Sequence, residues 1–296
     1  MKKLLTLILL SISCSSFANS HIDFTLSDFC YLQPNVQDRD GVYFFPNQEV
    51  GITASSLCVW KGVYGQYHSK GKLLNGKKEG KWNDWNILGE KVFESDYKNG
   101  ELVKEIHSDR LGWEESIYSN GVRIESIRFN KDGQIRNESK YEDGELSYRT
   151  FYTYHKNGKL RMKGNEIWPE IDFDGTITSW YKNGQKEHES SYSKGELVGK
   201  NTRWYENGQL SGEYFYGVDD FINRYWYKNG QLLGEYTNEN GISTSMKEWH
   251  DNGQLERDWI YINGKKEGEY IKLDRDGKVS YKAIYKNDKC ISGDCN

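Results

Sequence analysis

Two aspartates, Asp172 and Asp174, lie in the segment from Ile171 to Thr176, which reads IDFDGT. Residues of this type can carry phosphoryl transfer, in which one carboxylate attacks phosphorus and the second acts as acid and base. That chemistry needs a loop at the end of a buried parallel strand, followed by helices, with a later lysine and an acidic pair that hold magnesium. Turn signals flank the segment instead, so Asp174-Gly175 is expected to form a turn.

The IDFDGT segment is similar to the nucleophile loop of haloacid-dehalogenase-type phosphatases, but the similarity covers these six residues alone. Two runs, Asp172 to Gly175 and Asp274 to Gly277, are similar to calcium-binding loops. Both lack the third acid and the distal glutamate of a complete site. Neither run therefore predicts a metal site.

The six histidines are scattered along the chain. His155 and His250 stand beside turns, where related segments carry Tyr or Lys, and they are expected to be solvated strand ends. Glu187-His188-Glu189 has the residue types of a metal site, but on one strand His188 points away from both neighbours. No Ser/His/Asp or Cys/His set has a sequence context. The chain is therefore expected not to be an enzyme and to need no cofactor or metal.

The elements that hold these residues are predicted to be short strands joined by turns. A Trp-(Tyr or His)-x-Asn-Gly-Gln motif recurs at intervals of 22 to 24 residues. Its clearest copies are Trp180 to Lys186, Trp204 to Leu210, Trp226 to Leu232 and Trp249 to Leu255. Asn-Gly between alternating apolar and polar residues is a strong hairpin signal, because a type I′ turn needs two residues at φ > 0. A weaker turn signal follows each motif, so that each repeat comprises two strands and two turns.

The alternation predicts an all-β fold, an elongated antiparallel meander or ribbon of tandem β-hairpins. About nine repeats of ~23 residues occupy 61–289, after an N-terminal cap segment at 19–60 and before a C-terminal tail at 290–296. Turns are predicted at the five dipeptides Asn183-Gly184, Asn207-Gly208, Asn229-Gly230, Asn252-Gly253 and Asn263-Gly264.

A two-residue turn at Asn252-Gly253 places Trp249 opposite Glu256. A two-residue turn at Asn263-Gly264 then places Trp259 opposite Gly268. Both pairs are therefore expectations about strand register.

Composition favours a thin repeat array over a thick globular core. The hydrophobic fraction is 36%, the mean hydropathy is −0.87, and much of the apolar content is Tyr and Trp. Only three prolines occur, as expected if most strands must keep their backbone N–H donors. In such an array each unit contacts only its neighbours.

The first 18 residues have the three parts of a secretory signal: Lys2 and Lys3, an apolar run, and Ser16-Phe17-Ala18. The protein is therefore expected to be exported to the periplasm or secreted, with lipid anchoring at Cys14 as the alternative. Cleavage leaves 38 basic against 44 acidic residues, a net charge near −6. This surface argues against nucleic acid and against strong membrane binding.

Four cysteines remain after Cys14 is set aside, two before the repeats and two after them. Their even number predicts disulfides Cys30-Cys58 and Cys290-Cys295 that staple the ends of the array, although four cysteines allow three pairings. Unpaired buried thiols are the alternative.

Trp180, Trp204, Trp226 and Trp249 recur once per repeat and are predicted to form a stripe that binds a partner. Neighbours on a strand face opposite ways, so Tyr181, Tyr205 and Tyr227 are expected to pack the other face. The alternative is that the aromatic residues serve only to hold the sheet together.

The repeat WYxNGQLxGEYxYxxG, clearest over residues 180–270, resembles the bacterial MORN (membrane occupation and recognition nexus) repeat variant of YwqK-type antitoxin proteins. The resemblance implies a ribbon of hairpins, a binding role without catalytic residues, and neutralisation of a toxin. Taken with the export signal, it predicts a monomeric exported protein that binds another protein, and the antitoxin resemblance implies that this partner is a toxin. The alternative function is binding of cell wall or glycan, since tandem Trp/Tyr hairpins also resemble choline- and glucan-binding repeats.

Overall fold

The structure is a computed structural model that describes residues 31–32, 36–61, 67–86, 88–169 and 171–295. Every regular element in these residues is a β-strand, and no helix occurs among them, so the all-β prediction is confirmed. In the same residues no helix is long and apolar enough to cross a membrane. The chain divides into two compact units, Met1–Ser108 and Asp109–Asn296.

The first unit contains three short strands and a run of longer antiparallel neighbours. Its strands are β1 (Tyr31–Leu32), β2 (Gln37–Arg39), β3 (Val42–Phe44), β4 (Ala54–Lys61), β5 (Tyr67–Leu74), β6 (Lys77–Trp85), β7 (Lys91–Lys98) and β8 (Glu101–Asp109). Strands β4 to β8 pair in chain order, β2 pairs with β3, and β1 pairs in parallel with β4.

An apolar core gathers in this first unit around Trp82, which is fully buried. Val36, Tyr43 and Leu73 pack with it, and its indole Nε1 donates to the carbonyl oxygen of Lys72 at 3.0 Å. The ring lies directly over Gly71, where an added Cβ would meet it at 2.3 Å. Aromatic-over-glycine packing therefore does occur in the chain, and here it closes a core.

The second unit is a meander in which almost every strand pairs with the next. Its strands are β9 (Gly112–Ser119), β10 (Val122–Asn130), β11 (Ile135–Glu142), β12 (Glu145–Tyr154), β13 (Leu160–Ile167), β14 (Asp172–Phe173), β15 (Gly175–Trp180), β16 (Lys186–Ser193), β17 (Glu196–Trp204), β18 (Leu210–Tyr216), β19 (Phe221–Trp226), β20 (Leu232–Glu239), β21 (Ile242–Trp249), β22 (Leu255–Ile262), β23 (Lys265–Lys266), β24 (Gly268–Leu273), β25 (Val279–Lys286) and β26 (Lys289–Gly293).

Two different turns alternate along this meander. In the Asn-Gly-Gln turns the loop has three residues: the Tyr227 amide donates to the Gln231 carbonyl at 2.9 Å, and Gly230 alone adopts a positive φ, of 85°. This is a type I turn closed by a left-handed glycine. The loops before Gln185, Gln209 and Gln254 have the same bonds.

The intervening turns have two residues. Ile262 pairs with Lys265, and both Asn263 (φ 52°) and Gly264 (φ 73°) are left-handed, as a type I′ turn requires. The same geometry recurs at Asn120-Gly121, Asp143-Gly144, Lys194-Gly195 and Asn240-Gly241. All five predicted dipeptides therefore lie in turns, but only the one at Asn263 is of the predicted type.

The predicted register around Trp249 is wrong by one residue. Trp249 pairs with Leu255, not Glu256, because the three-residue loop lengthens the turn. Trp259 likewise does not face Gly268. Strand pairing resumes beyond the break between β23 and β24, and Trp259 stacks on Tyr270 with ring centroids 5.2 Å apart. The left-handed Gly268 (φ 82°) is the first residue of β24, directly after that break.

Asp174-Gly175 is not a hairpin turn, contrary to the sequence prediction. Both β14 and β15 pair with β13, so the dipeptide interrupts one strand instead of reversing the chain. The Asp174 amide donates to the Asn165 carbonyl at 3.2 Å across this interruption. Gly175, with φ of 82°, accommodates the irregular backbone.

Cys290 and Cys295 form a disulfide with Cα atoms 5.5 Å apart, which confirms that predicted pair. It closes the end of β26, where the Asp294 amide also donates to the Lys282 carbonyl at 2.9 Å. Cys58 is disulfide-bonded as well. Its predicted partner Cys30, the predicted signal sequence and Cys14 lie outside the described residues.

Candidate functional site

The four stripe tryptophans occupy one register position, the last residue of a strand before a three-residue loop. Trp204, Trp226 and Trp249 pair with Leu210, Leu232 and Leu255. Trp180 pairs with Lys186 in the same way. Because paired residues share a face of the sheet, the four indoles and their partners lie on one face. We call this set, Trp180, Trp204, Trp226 and Trp249, the tryptophan stripe.

Charged pairs run beside the tryptophan stripe. The residues two positions before each tryptophan lie on the same face and pair with acids on the next strand. Arg224 Nε lies 2.8 Å from Glu235, and Lys247 Nζ lies 3.5 Å from Asp258. The Lys186 ammonium group lies 5.5 Å from the centre of the Trp204 ring. This face therefore combines aromatic rings with charges of both signs.

The indoles of the stripe are half-buried. None of the four Nε1 atoms makes a hydrogen bond to another described residue. None is among the buried polar atoms that lack a partner, a group that includes Nε1 of Trp168 and Trp259. Trp82 is different, since its Nε1 is bonded inside a closed core. The stripe therefore offers both ring surface and free N–H donors.

The tyrosines that follow the stripe residues tie each repeat to the next. The hydroxyl groups of Tyr181, Tyr205 and Tyr227 donate to the backbone carbonyls of Trp204, Trp226 and Trp249 at 2.8, 2.7 and 3.0 Å. Burial raises the pKa of Tyr181 and of Tyr227. The Trp-Tyr pair therefore recurs at a regular spacing because each tyrosine hydroxyl bonds to the backbone of the next repeat, a contact that the sequence alone does not show.

Two histidines take the tyrosine position, and the expectation that they are solvated strand ends is wrong. Nε2 of His155 lies 2.7 Å from the Trp180 carbonyl, and Nε2 of His250 lies 3.0 Å from the Leu273 carbonyl. A carbonyl oxygen only accepts hydrogen bonds, so Nε2 carries the proton in both rings. Each imidazole thus replaces a phenol as the donor to the next repeat.

The asparagines of the three-residue loops form a second row of ties. The amide nitrogens of Asn183, Asn207 and Asn229 donate to the carbonyls of Glu206, Lys228 and Asp251 at 2.7 to 2.9 Å. Their side-chain oxygens accept the amide of the glutamine two residues on. We call these tyrosine, histidine and asparagine bonds the turn ladder. Asparagine is needed there for its side chain, not for a positive φ.

The opposite face carries a row of packed tyrosines in its later repeats. Tyr225 lies edge-on between Tyr214 and Tyr236, with centroid distances of 5.2 and 5.3 Å. Gly212 and Gly234 pair with Tyr225 and make room for these rings. The hydroxyl of Tyr236 donates to Glu248 at 2.7 Å, and burial raises its pKa. This part of the face is therefore filled.

An open cleft of about 480 Å³ interrupts that face one repeat earlier. It is lined by Ser179, Tyr181, Glu187, His188, Arg203, Trp204, Tyr205 and Ser211. Glu187 and His188 both line it, so the expected opposite orientation of these neighbours is wrong. The pairing skips Glu187, because Trp180 pairs with Lys186 and Ser179 with His188, and such a β-bulge breaks the strand alternation.

Within the described part of the chain, no group of three or more His, Cys, Asp and Glu side chains is placed to hold a metal ion.

Comparison with known proteins identifies the repeats in part of the chain. The crystal structure of TcdB2-TccC3-TEV is 10% identical, with a TM-score of 0.24 over 86% of this chain and 17% of that one. No curated protein matches. The family model described as the MORN repeat variant matches at three places. Residues 173–194, 197–216 and 266–287 of this chain are therefore MORN repeat variants.

Proposed function

We propose that this chain is an exported, non-enzymatic repeat protein that binds another protein through the tryptophan stripe. The observation that supports this proposal is the contrast between the stripe and Trp82. Trp82 has no exposed surface and a bonded Nε1, whereas the stripe indoles are half-buried and their Nε1 atoms make no hydrogen bond within the described residues. Aromatic side chains that the fold leaves partly exposed are typical of binding anchors.

The spacing of the stripe suits an extended protein surface. Successive tryptophans are two strands apart, roughly 10 Å at the usual strand separation. Each anchor can contribute more than ~2 kcal/mol to a complex once it is covered. The flanking pairs, such as Arg224 with Glu235, present both signs of charge. A partner with mixed polar and apolar surface fits this face better than a polyanion does.

The partner that we propose is a toxin that acts outside the cytoplasm, with the chain as its immunity protein. The MORN repeat variants at 173–194, 197–216 and 266–287 and the resemblance to YwqK-type antitoxin repeats support a masking role. The secretory signal in residues 1–18 supports a site of action beyond the membrane.

Affinity capture from periplasm tests the proposal, with the mature chain and its Trp226→Ala variant as parallel baits. We expect one protein to be retained by the native chain and lost with the variant. Its gene, expressed with a secretory signal, should arrest growth unless the chain is co-expressed. A partner retained equally by both baits excludes the stripe as its binding surface. A partner that is harmless when expressed alone contradicts the immunity role.

A further inference from the structure

The cleft is open beside Ser179, because this serine stands where later repeats have larger residues. The position before each stripe tryptophan holds Ser179 at the cleft, but Tyr225 and Glu248 in later repeats. Tyr225 fills its site between two rings, and Glu248 is paired with Arg257 at 2.9 Å. Ser211 completes the small lining. The opening therefore reflects a local change of residue types in the same backbone.

A buried polar network fixes the imidazole in the cleft wall. Nε2 of His188 lies 2.8 Å from Asn201 Oδ1 and 2.8 Å from Ser190 Oγ, and the Asn201 amide donates to Ser190 at 2.7 Å. Ser190 and Asn201 are 1% and 3% exposed. Since Asn201 Oδ1 is an acceptor, Nε2 carries the proton, and Nδ1 of the neutral ring is left as an acceptor. The Nδ1 atom makes no hydrogen bond within the described residues.

The two charged groups of the cleft are not neutralised by ion pairs. The Arg203 guanidinium lies 5.3 Å from the centre of the Tyr214 ring and has no acidic partner in the described part of the chain. Glu187 receives one long hydrogen bond, from Ser179 at 3.4 Å. An anionic ligand would be repelled by the Glu187 carboxylate, and a cationic ligand would be repelled by the Arg203 guanidinium. A neutral ligand with several hydroxyl groups can satisfy both residues, since each hydroxyl both donates and accepts.

Three aromatic residues complete the lining: Tyr181, Tyr205 and the stripe residue Trp204. Tyr181 and Tyr205 are held in place because their hydroxyls are committed to the turn ladder, at 2.8 and 2.7 Å. Their rings therefore contribute apolar surface, while Arg203, Glu187 and His188 contribute the polar contacts. A cleft that combines aromatic surface with a few fixed polar groups is typical of a small-molecule site. A sugar ring has the matching character, with C–H groups on its faces and hydroxyls at its rim.

We infer that this cleft binds one sugar ring of a neutral saccharide, with the ring against Tyr181 or Tyr205 and its hydroxyls bonded to Arg203, Glu187 and His188. Trp204 is the stripe residue that also lines this cleft. The inference does not depend on the proposed function.

Titration calorimetry and saturation-transfer NMR on the mature chain test this inference. The probes are cellotriose, maltotriose and tri-N-acetylchitotriose, offered at millimolar concentration. At least one is expected to bind. Ser179→Tyr fills the cleft with the residue that a sister repeat has, and Arg203→Met and Glu187→Gln remove single polar contacts. Each substitution should weaken binding by about tenfold or more, as expected for loss of a contact to a charged group or of the space itself.

Arg224→Met is the matched control for Arg203→Met, because Arg224 lies on the stripe face, and it should leave saccharide affinity unchanged. Trp226→Ala should also bind the saccharide normally, because the cleft is lined by Trp204 and not by Trp226. Thermal melts establish that each variant is folded. The inference is overturned if none of the three probes binds the native chain, or if Ser179→Tyr and Glu187→Gln bind as well as the native chain does.

Discussion

The hydroxyl group of Tyr205 donates a 2.7 Å hydrogen bond to the backbone carbonyl of Trp226, one repeat further along the chain. The stripe residue and the ladder residue are thus linked, since the phenol of one repeat fixes the backbone that carries the tryptophan of the next. The stripe depends for its alignment on bonds that lie along the loop edge.

Tyr205→Phe should lower the free energy of unfolding by about 1–2 kcal/mol, because the Trp226 carbonyl loses its side-chain donor. Urea unfolding followed by fluorescence measures the change. Tyr216→Phe is the matched control, since Tyr216 is 39% exposed and its hydroxyl makes no hydrogen bond within the described residues. Equal losses for the two variants would contradict the stabilising role of the ladder bond.

Glycine substitution should separate the two turn types. Asn263→Gly is expected to change stability by less than about 0.5 kcal/mol, because glycine tolerates the left-handed φ of 52° at that position. Asn229→Gly should cost about 1–2 kcal/mol, because it removes the bond to the Asp251 carbonyl and the one from the Gln231 amide. Equilibrium unfolding measures the free energy of unfolding of both variants and of the native chain. The reverse order of losses is incompatible with the two geometries.

Tryptophan substitutions should distinguish core from surface. Trp82→Ala is expected to cost about 3–5 kcal/mol, as for other buried aromatic residues. Trp226→Ala should cost much less in stability while it abolishes capture of the protein partner. Thermal melts and binding measurements on the folded fraction test this pair of expectations. If Trp226→Ala melts as early as Trp82→Ala while its folded fraction still binds, the stripe is structural.

Alkaline pH should weaken the fold through its tyrosines. Burial and the hydrogen bond to Glu138 raise the pKa of Tyr152 from 10.0 to about 12. Because the folded state disfavours the phenolate, the contribution of Tyr152 is complete below pH 10 and is lost as the pH rises toward 12. The difference in unfolding free energy between the native chain and Tyr152→Phe should therefore shrink across this interval. A difference that is constant from pH 9 to 12 argues against the coupling.

The hairpin fold could be predicted from the sequence because the turn signals are local. Asn263-Gly264 illustrates this, since both residues adopt the left-handed backbone that the dipeptide favours. Asn229-Gly230 is the same dipeptide but lies in a longer loop, and the Asn229 side chain forms a hydrogen bond to the following repeat. The residue after the glycine does not distinguish the two turns, since Lys159 follows a three-residue loop and Lys265 follows a two-residue turn.

The cleft could not be predicted, because it depends on contacts between strands. Glu187 and His188 are neighbours that regular alternation would separate, and a bulge places both in one wall. Ser190 and Asn201, which fix the imidazole, belong to different strands and have no motif. The sequence signal for the cleft is the small Ser179 at the repeat position where Tyr225 stands in a later repeat.

The turn ladder also determines how the repeats would come apart under mechanical load. Each of its bonds joins one loop to the next loop only, as Asn207 is joined to the Lys228 carbonyl. No bond of this kind spans two repeats in the ladder from Asn183 to Asp251. Force applied at one terminus would therefore unfold the repeats one after another, starting from that terminus. Each step would free 22 to 24 residues and leave the remaining tryptophans in line.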